Sequence, residues 1–521
     1  MLTGPRTAGA IGGAVVLLAL LGACSEAPPP AAPVVDLNGV EVTGRLATDD
    51  GVAAFLGLPF AAAPEGDLRW RPPLPVAISE PLEATAFAPA CMQGTHIVDW
   101  YAGLIEDFGA DPDAFPVPTF SEDCLYLNVW TPSLGKEEKL PVMVWIHGGA
   151  HRGGWAYEPN YLGDRLAAGG AVVVSIAYRL DVFGFFSHPA LPRSNFGLLD
   201  QIAALGWIRE HIDAFGGDPD NVTLFGESAG AASAGYLMAS PKARGLFRRV
   251  IYQSAGYEFL HDDRRENFLD EGEALALRAA DGSLESLRNA PPERILAAAR
   301  EVYTEYQPDA VVDGDTLVEP PAESLRRGGR LKAVDLIAGT TADEWRMYLD
   351  AETSAADVDA WLDEHANGSD AVRALIAEDA DPLRQLDRLI TARQFVCPSL
   401  ALANAMVDAG RGAWVYRFSR VRPGERSAAV GAYHGAEIPY VFDTHDDWLP
   451  TAAEDRELGH RIAGYWLRFA TSGDPNGENA TDWPAWVPRQ AEIIDFGDTI
   501  ERIEHPEREL CRALAAAGAL R

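Results

Sequence analysis

Residues 215–238, FGGDPDNVTLFGESAGAASAGYLM, decide how the rest of the chain is read. VTLF at 222–225 is a short apolar, β-branched run suited to a buried strand. Gly226-Glu227-Ser228-Ala229-Gly230 follows at once, and a stretch of Ala, Gly and Ser then predicts a helix of small side chains. Strand, GxSxG and helix in that order form a nucleophile elbow, which holds Ser228 in strained backbone geometry and lifts its Oγ clear of the sheet edge. Gly226 and Gly230 are needed because a side chain at either position would collide with the adjacent strand and helix. The helix N-terminus behind Ser228 supplies N–H donors and positive potential for a developing oxyanion. Glu227 reads either as an acid that tunes this field or as a structural part of the elbow. Ser254, in YQSAG, also follows a strand pattern, but Gln253 stands where the first glycine is needed, so it reads as a structural hydroxyl at a strand end.

Eighty residues upstream of Ser228, the run VMVWI at 142–146 ends in His147-Gly148-Gly149-Ala150. A glycine loop after a strand lets backbone N–H groups approach the same oxyanion closely. Gly149 and Ala150 are the expected donors, together with the N–H of Ala229, while Gly148 shapes the turn. His147 is read as a loop-orienting side chain rather than the catalytic base.

Further apolar runs follow at 172–177, 222–225, 250–254, 334–339 and 414–419, separated by long helical patterns. Continuous apolar strands with helical crossovers predict an α/β fold with a doubly wound, mostly parallel sheet. The segments 262–309 and 350–393 are charged and mostly helical in pattern, and are read as excursions from the sheet. The 521 residues would allow about three domains by length. No glycine-rich linker divides them, so residues 34–521 are assigned to a single domain.

The chain carries 77 acidic and 43 basic side chains, a net charge of −34. That excess argues against nucleic acid as a partner, whose affinity comes from Lys and Arg on phosphates. It equally disfavours attachment to an anionic membrane by charge. The N-terminus suggests another route. Arg6 is the only charge in the first 25 residues, and IGGAVVLLALL at 11–21 has the length of a secretory apolar region, too short to span a bilayer. LGAC at 21–24 then looks like a bacterial lipobox, with residues 1–23 as the signal peptide, Cys24 as the lipid-bearing residue and 24–33 as a Pro/Ala-rich tether. The expected location is outside the cytoplasm, on the periplasmic or surface side of a bacterial membrane. With Cys24 acylated, Cys91, Cys124, Cys397 and Cys511 remain, an even set that allows three pairings. No Cys/His cluster has metal-ligand spacing, so no zinc site is expected.

With these residues in hand, the chain resembles the type-B carboxylesterase and cholinesterase family of α/β-hydrolases. The resemblance runs from about residue 40 to Cys511. It rests on FLGLPFAAAPEGDLRWRPP (55–73), SEDCLYLNVWTP (121–132), YRLDVFGFFS (178–187), the stretch 195–230 and WLRFATSGDPN (466–476) with Trp483-Pro484. It implies that GTTADEW (339–345) places the triad acid at Glu344, although Asp343 beside it is a serious competitor. It also implies that GAYHGAEIPYVF (431–442) places the base at His434. Ser228, Glu344 and His434 then fall in the chain order of the fold. The resemblance further implies a Cys91–Cys124 bridge and suggests pairing Cys397 with Cys511. Ala150 stands where a third glycine is frequent, His151 where an aromatic is common and Trp345 where a glycine often follows the acid, so the acyl side of the pocket and substrate choice are expected to differ.

The implied activity is hydrolysis of small carboxylic esters through an acyl-enzyme on Ser228, with no metal or organic cofactor. Amide or carbamate hydrolysis by the same machinery is the nearest alternative, and a non-catalytic binding protein the more distant one. Oligomeric state is not legible in the sequence.

Overall fold

Eleven strands form the central sheet: β1 (Arg45–Leu46), β2 (Ala53–Pro59), β3 (Tyr126–Thr131), β4 (Leu140–Ile146), β5 (Val172–Ile176), β6 (Gly217–Glu227), β7 (Arg249–Gln253), β8 (Asp335–Thr341), β9 (Ala413–Phe418), β10 (Glu492–Phe496) and β11 (Ile500–Glu504). Across the sheet their order is β11-β10-β9-β8-β7-β6-β4-β5-β3-β2-β1. From β5 through β4 and on to β10 all neighbours are parallel. The flanks are antiparallel: β3 against β5, β2 and β1 beyond it, and β11 against β10. This is a computed structural model, and it describes residues 33–520 apart from 49–50, 305–306, 327–330 and 445–447, and residues 1, 3, 4, 9, 31 and 32 of the segment before them. The proposed apolar leader and Cys24 lie outside the described residues. Residues 33–521 cluster as one unit.

The continuous apolar strands have a direct cause. Val142, Val144 and Ile146 of β4 enter one buried cluster, while Met143 and Trp145 enter the cluster on the opposite face. β5 and β6 divide in the same way, with Val172, Val174 and Val222, Leu224 on one side and Val173 and Phe225 on the other. Both faces of the sheet are covered, so both sets of side chains are apolar.

Three helices matter most for the site: α1 (His96–Asp107), α2 (Phe196–His211) and α3 (Ala229–Ala239). Residues 229–238 of α3 are all buried. Its Ala, Gly and Ser side chains let it lie close against β6, β7 and β4, which larger residues would prevent. The two excursions are helical as expected. Leu269–Ala279 and Pro292–Val302 share a satellite apolar cluster with Phe183 and Phe186. Ala355–Ala366, Asp370–Ile376 and Pro382–Thr391 form another with Leu510 and Leu514.

The chain passes from β4 out to β5 on one side, then back across β4 to β6 on the other. At such a reversal the loops leaving the carboxyl ends of the two strands diverge and open a crevice. The glycine loop leaves β4 there, and the serine leaves β6.

Candidate active site

Ser228 sits between β6 and α3 with φ +54° and ψ −126°, a left-handed conformation that a non-glycine residue adopts only under constraint. The constraint is visible around it. Its N–H donates to the Gln253 carbonyl at 2.9 Å, and its own carbonyl accepts the Ala232 N–H of the first helical turn at 2.9 Å. A Cβ on Gly230 would fall 1.9 Å from the Ile146 carbonyl oxygen, and one on Gly226 would fall 2.7 Å from the same atom. Both glycines are therefore required by contact with β4, the strand that carries the facing loop.

That loop is also left-handed. Gly149, Ala150 and His151 have φ of +99°, +56° and +54° in succession. Consecutive residues of this kind turn their N–H groups toward a common concavity. The Gly149 carbonyl accepts from the Arg152 and Gly153 N–H groups at 3.0 and 3.1 Å, which closes the turn. A Cβ on Gly149 would meet the Gly153 carbonyl oxygen at 2.3 Å, so only glycine fits. Among the described residues the N–H groups of Gly149, Ala150 and Ala229 make no hydrogen bond. His147 is buried, its ring stacked on Tyr178 at 4.5 Å and its Nδ1 2.9 Å from the Gly148 carbonyl. Burial pushes its pKa down to about 4, which suits a neutral side chain that orients the loop.

Glu344 and His434 arrive from the ends of β8 and β9. His434 Nδ1 lies 2.6 Å from Glu344 Oε2, and Glu344 Oε1 accepts the Thr341 N–H at 2.8 Å. Glu344 is completely buried. Asp343 points elsewhere, its Oδ2 accepting the Ala432 N–H at 2.8 Å and its Oδ1 lying 3.5 Å from Arg346. The geometry thus puts Glu344, rather than its neighbour, on the imidazole. On the other side of the ring, His434 Nε2 is 3.3 Å from Glu227 Oε1. Ser228 Oγ and His434 face the same cavity without a hydrogen bond between them. In ligand-free active sites such contacts are often open and tighten only around substrate.

Three carboxyl groups crowd this histidine. Burial on its own disfavours the charged imidazole, but Glu227, Glu344 and Glu437 outweigh it and raise the His434 pKa. Burial likewise raises Glu227, against the pull of His434 and with added repulsion from Glu437 and Glu344. Glu437 accepts from the Tyr416 hydroxyl at 3.2 Å and from Gln253 at 3.4 Å. The Phe395 ring stands 5.2 Å from the imidazole.

Ser228, Gly148, Gly149, Ala150, Glu227 and His434 line one cavity of about 320 Å³. Its other walls come from α1, the 158–161 turn, Trp345 with Tyr348, the 433–439 segment and Trp448. Helix α1 is a functional element that sequence reasoning missed, although Ile97, Tyr101, Leu104 and Ile105 carry helical spacing. His151 does not line this cavity, whereas Ala150 and Trp345 do. The His151 ring turns the other way, 2.6 Å from Asp309 Oδ1 and 2.8 Å from Ser233 Oγ. Ser254 is buried at the end of β7 with its N–H on the Gly339 carbonyl at 2.8 Å, as a structural residue would be.

Both cysteine pairs are bridged, Cys91–Cys124 and Cys397–Cys511. Among the described residues no group of three or more His, Cys, Asp or Glu could hold a metal ion, and no helix is long and apolar enough to cross a membrane.

Known proteins resemble this chain over most of its length. Residues 31–513 match the carboxylesterase family. The para-nitrobenzyl esterase of Bacillus subtilis is 35% identical over 487 residues, 89% of this chain and 94% of that protein. Liver carboxylesterase 1 of Oryctolagus cuniculus is 33% identical, with 93% of each chain covered. Among solved structures, a Geobacillus stearothermophilus carboxylesterase superposes with a TM-score of 0.79 at 32% identity, covering 92% of this chain and 99% of that one. The fold is that of the α/β-hydrolases, the activity is hydrolysis of carboxylic esters by a serine enzyme, and the chain belongs to the carboxylesterase family.

Proposed function

We propose that Ser228, His434 and Glu344 are the catalytic triad, and that the N–H groups of Gly149, Ala150 and Ala229 bind the oxyanion. The observation that carries the reading is the convergence on one cavity of a left-handed serine, an imidazole held by a buried glutamate and the loop residues Gly149 and Ala150, whose N–H groups make no hydrogen bond, with Ala229 next to Ser228 in the chain. Neutral His434 takes the Ser228 proton through Nε2 as Oγ attacks the ester carbonyl. Glu344 fixes the tautomer through Nδ1–H and stabilises the imidazolium that forms. The donors meet the tetrahedral oxyanion, each contributing about 3 kcal/mol in sites of this kind. His434 then protonates the departing alcohol, and later activates the water that releases the acid from Ser228.

The test is kinetic. Ser228→Ala lowers kcat on p-nitrophenyl butyrate by about 10⁴-fold or more, and Glu344→Gln by about 10³-fold or more. Asp343→Asn costs less than about tenfold. Parent-level turnover by Ser228→Ala sinks the assignment of the nucleophile, and the reverse order for the two acids sinks that of Glu344.

We also propose that the protein is an exported bacterial lipoprotein, acylated at Cys24. The support is in the sequence: the apolar run at 11–21, LGAC at 21–24 and the Pro/Ala stretch that follows. Expressed with its own leader in a bacterial host, the protein fractionates with membranes and its N-terminal peptide carries the mass of a diacylglyceryl cysteine. Cys24→Ala abolishes both. Equal membrane association of that variant contradicts the proposal.

A further inference from the structure

Besides Glu227, which faces the imidazole, the cavity wall holds a second carboxyl group that the mechanism above does not use. Glu158, only 5% exposed, lies at the turn beyond the glycine loop and lines the same cavity as Ser228. Its Oε1 accepts the Trp155 N–H at 3.1 Å, and its Oε2 accepts the hydroxyl of Tyr101 from α1. Asn160 Nδ2 donates in turn to the Tyr101 oxygen at 3.2 Å. Among the described residues no Lys, Arg or His forms an ion pair with Glu158. Around this polar group the walls are aromatic, with Trp100, Tyr161, Tyr433 and Trp448.

A buried carboxyl with no cation beside it costs folding free energy, so the cluster needs a reason to be there. Two carboxyl oxygens offer about four acceptor positions. The Trp155 N–H and the Tyr101 hydroxyl fill two of them and the Tyr161 hydroxyl stands at a third, which leaves one acceptor position on a residue that lines a cavity sized for a small ester. Flat aromatic walls favour an aryl group, and an acceptor among them favours a donor on that ring.

We propose that Glu158, supported by Tyr101 and Asn160, is the specificity-determining residue of this cavity and accepts the hydroxyl of a phenolic ring carried by the ester. The proposal rests on the reading that Ser228 is the nucleophile in the same cavity. Burial raises the Glu158 pKa to about 7, so a neutral hydroxyl suits it better than an ammonium group, which would demand its full charge.

Two pairs of esters test it, one for each side of the bond: p-nitrophenyl 3-(4-hydroxyphenyl)propanoate against p-nitrophenyl 3-phenylpropanoate, and 4-hydroxybenzyl acetate against benzyl acetate. In the parent, one pair shows at least about a tenfold preference in kcat/KM for the hydroxylated member, the scale of one buried hydrogen bond. Glu158→Gln brings that ratio to within about threefold of unity. The amide has one oxygen for two protein donors, so it presents N–H where the substrate needs an acceptor. Glu158→Asp, which withdraws the carboxyl by one methylene, lowers the ratio as well.

The proposal is overturned if neither pair shows a preference in the parent. It is equally overturned if either variant loses both members together with the ratio intact, the behaviour of a residue that only supports the loop. Failure of both variants to fold, or a 4-aminomethyl analogue turned over faster than the 4-hydroxy ester, also counts against it. Ser228→Ala, run on all four esters, separates the two readings: if it still hydrolyses them the nucleophile is wrong, whereas the substrate ratio reports on Glu158 alone.

Discussion

Glu227 is the residue whose role the sequence left open and the structure narrows. It sits next to Ser228 along the chain, and its carboxyl faces Nε2 of His434 at 3.3 Å, the nitrogen that receives the serine proton in the proposed mechanism. An anion there stabilises the imidazolium and so raises the pH at which His434 becomes a usable base. Replacing Glu227 with Gln removes that anion, the imidazole loses its proton at lower pH, and the acid limb of the kcat/KM profile moves down by about one pH unit. An unmoved limb, or one that moves up, contradicts this account. Other residues were legible to different depths. Ser228, Gly226 and Gly230 could be read directly because the elbow needs those residue types at that spacing. Glu344 could not, since nothing local separates it from Asp343. What separates them is a direction: one side chain turns to His434 and the other to the Ala432 N–H. Glu158 gave no local signal at all, because its meaning comes from the aromatic residues that tertiary folding sets around it.

At the scale of elements, the apolar-run criterion found six of the seven parallel strands, all but β10 with its EIIDF, because both of their faces are buried. It passed over β2, whose AAFLGLP contains a glycine and small side chains, and β11, an edge strand whose IERIE is mostly polar and half exposed. Helix α1 has helical periodicity, but nothing in its own sequence says that it roofs the cavity. The π-helical turn Ala392–Val396 was not foreseen either. It places Phe395 on the His434 ring, and Cys397 immediately after it is bridged to Cys511 of the C-terminal helix Arg508–Ala517. That bridge closes a separation of 114 residues against 33 for Cys91–Cys124. In the chain-entropy picture the longer loop contributes up to about 5 kcal/mol. For a chain of this size Cys397→Ser with Cys511→Ser is expected to lower the unfolding midpoint by about 5 °C, read by calorimetry at a fixed scan rate. Because Phe395 is so near, kcat is expected to fall in the same variant below its new midpoint. Unchanged melting and unchanged kcat contradict this link between bridge and site.

At the scale of the whole molecule, the acid excess of −34 argues against a nucleic-acid partner but says nothing of chemistry. The chemistry comes from topology. Reversal of strand order around β4 brings the glycine loop and Ser228 side by side, and parallel strands deliver Glu344 and His434 to the same end of the sheet. Groups separated by almost 300 residues thereby meet in one cavity, an arrangement that periodicity along the chain cannot reveal. The central claim is that this assembly activates Ser228 to form a covalent intermediate. Reaction of the purified protein with a fluorophosphonate probe, followed by intact-mass measurement and peptide mapping, tests it most directly, because only an activated serine is phosphonylated. The account predicts one adduct per chain, on Ser228, with loss of esterase activity in proportion to labelling. An adduct on Ser254 or any other residue, or undiminished ester hydrolysis by the fully labelled protein, would contradict it.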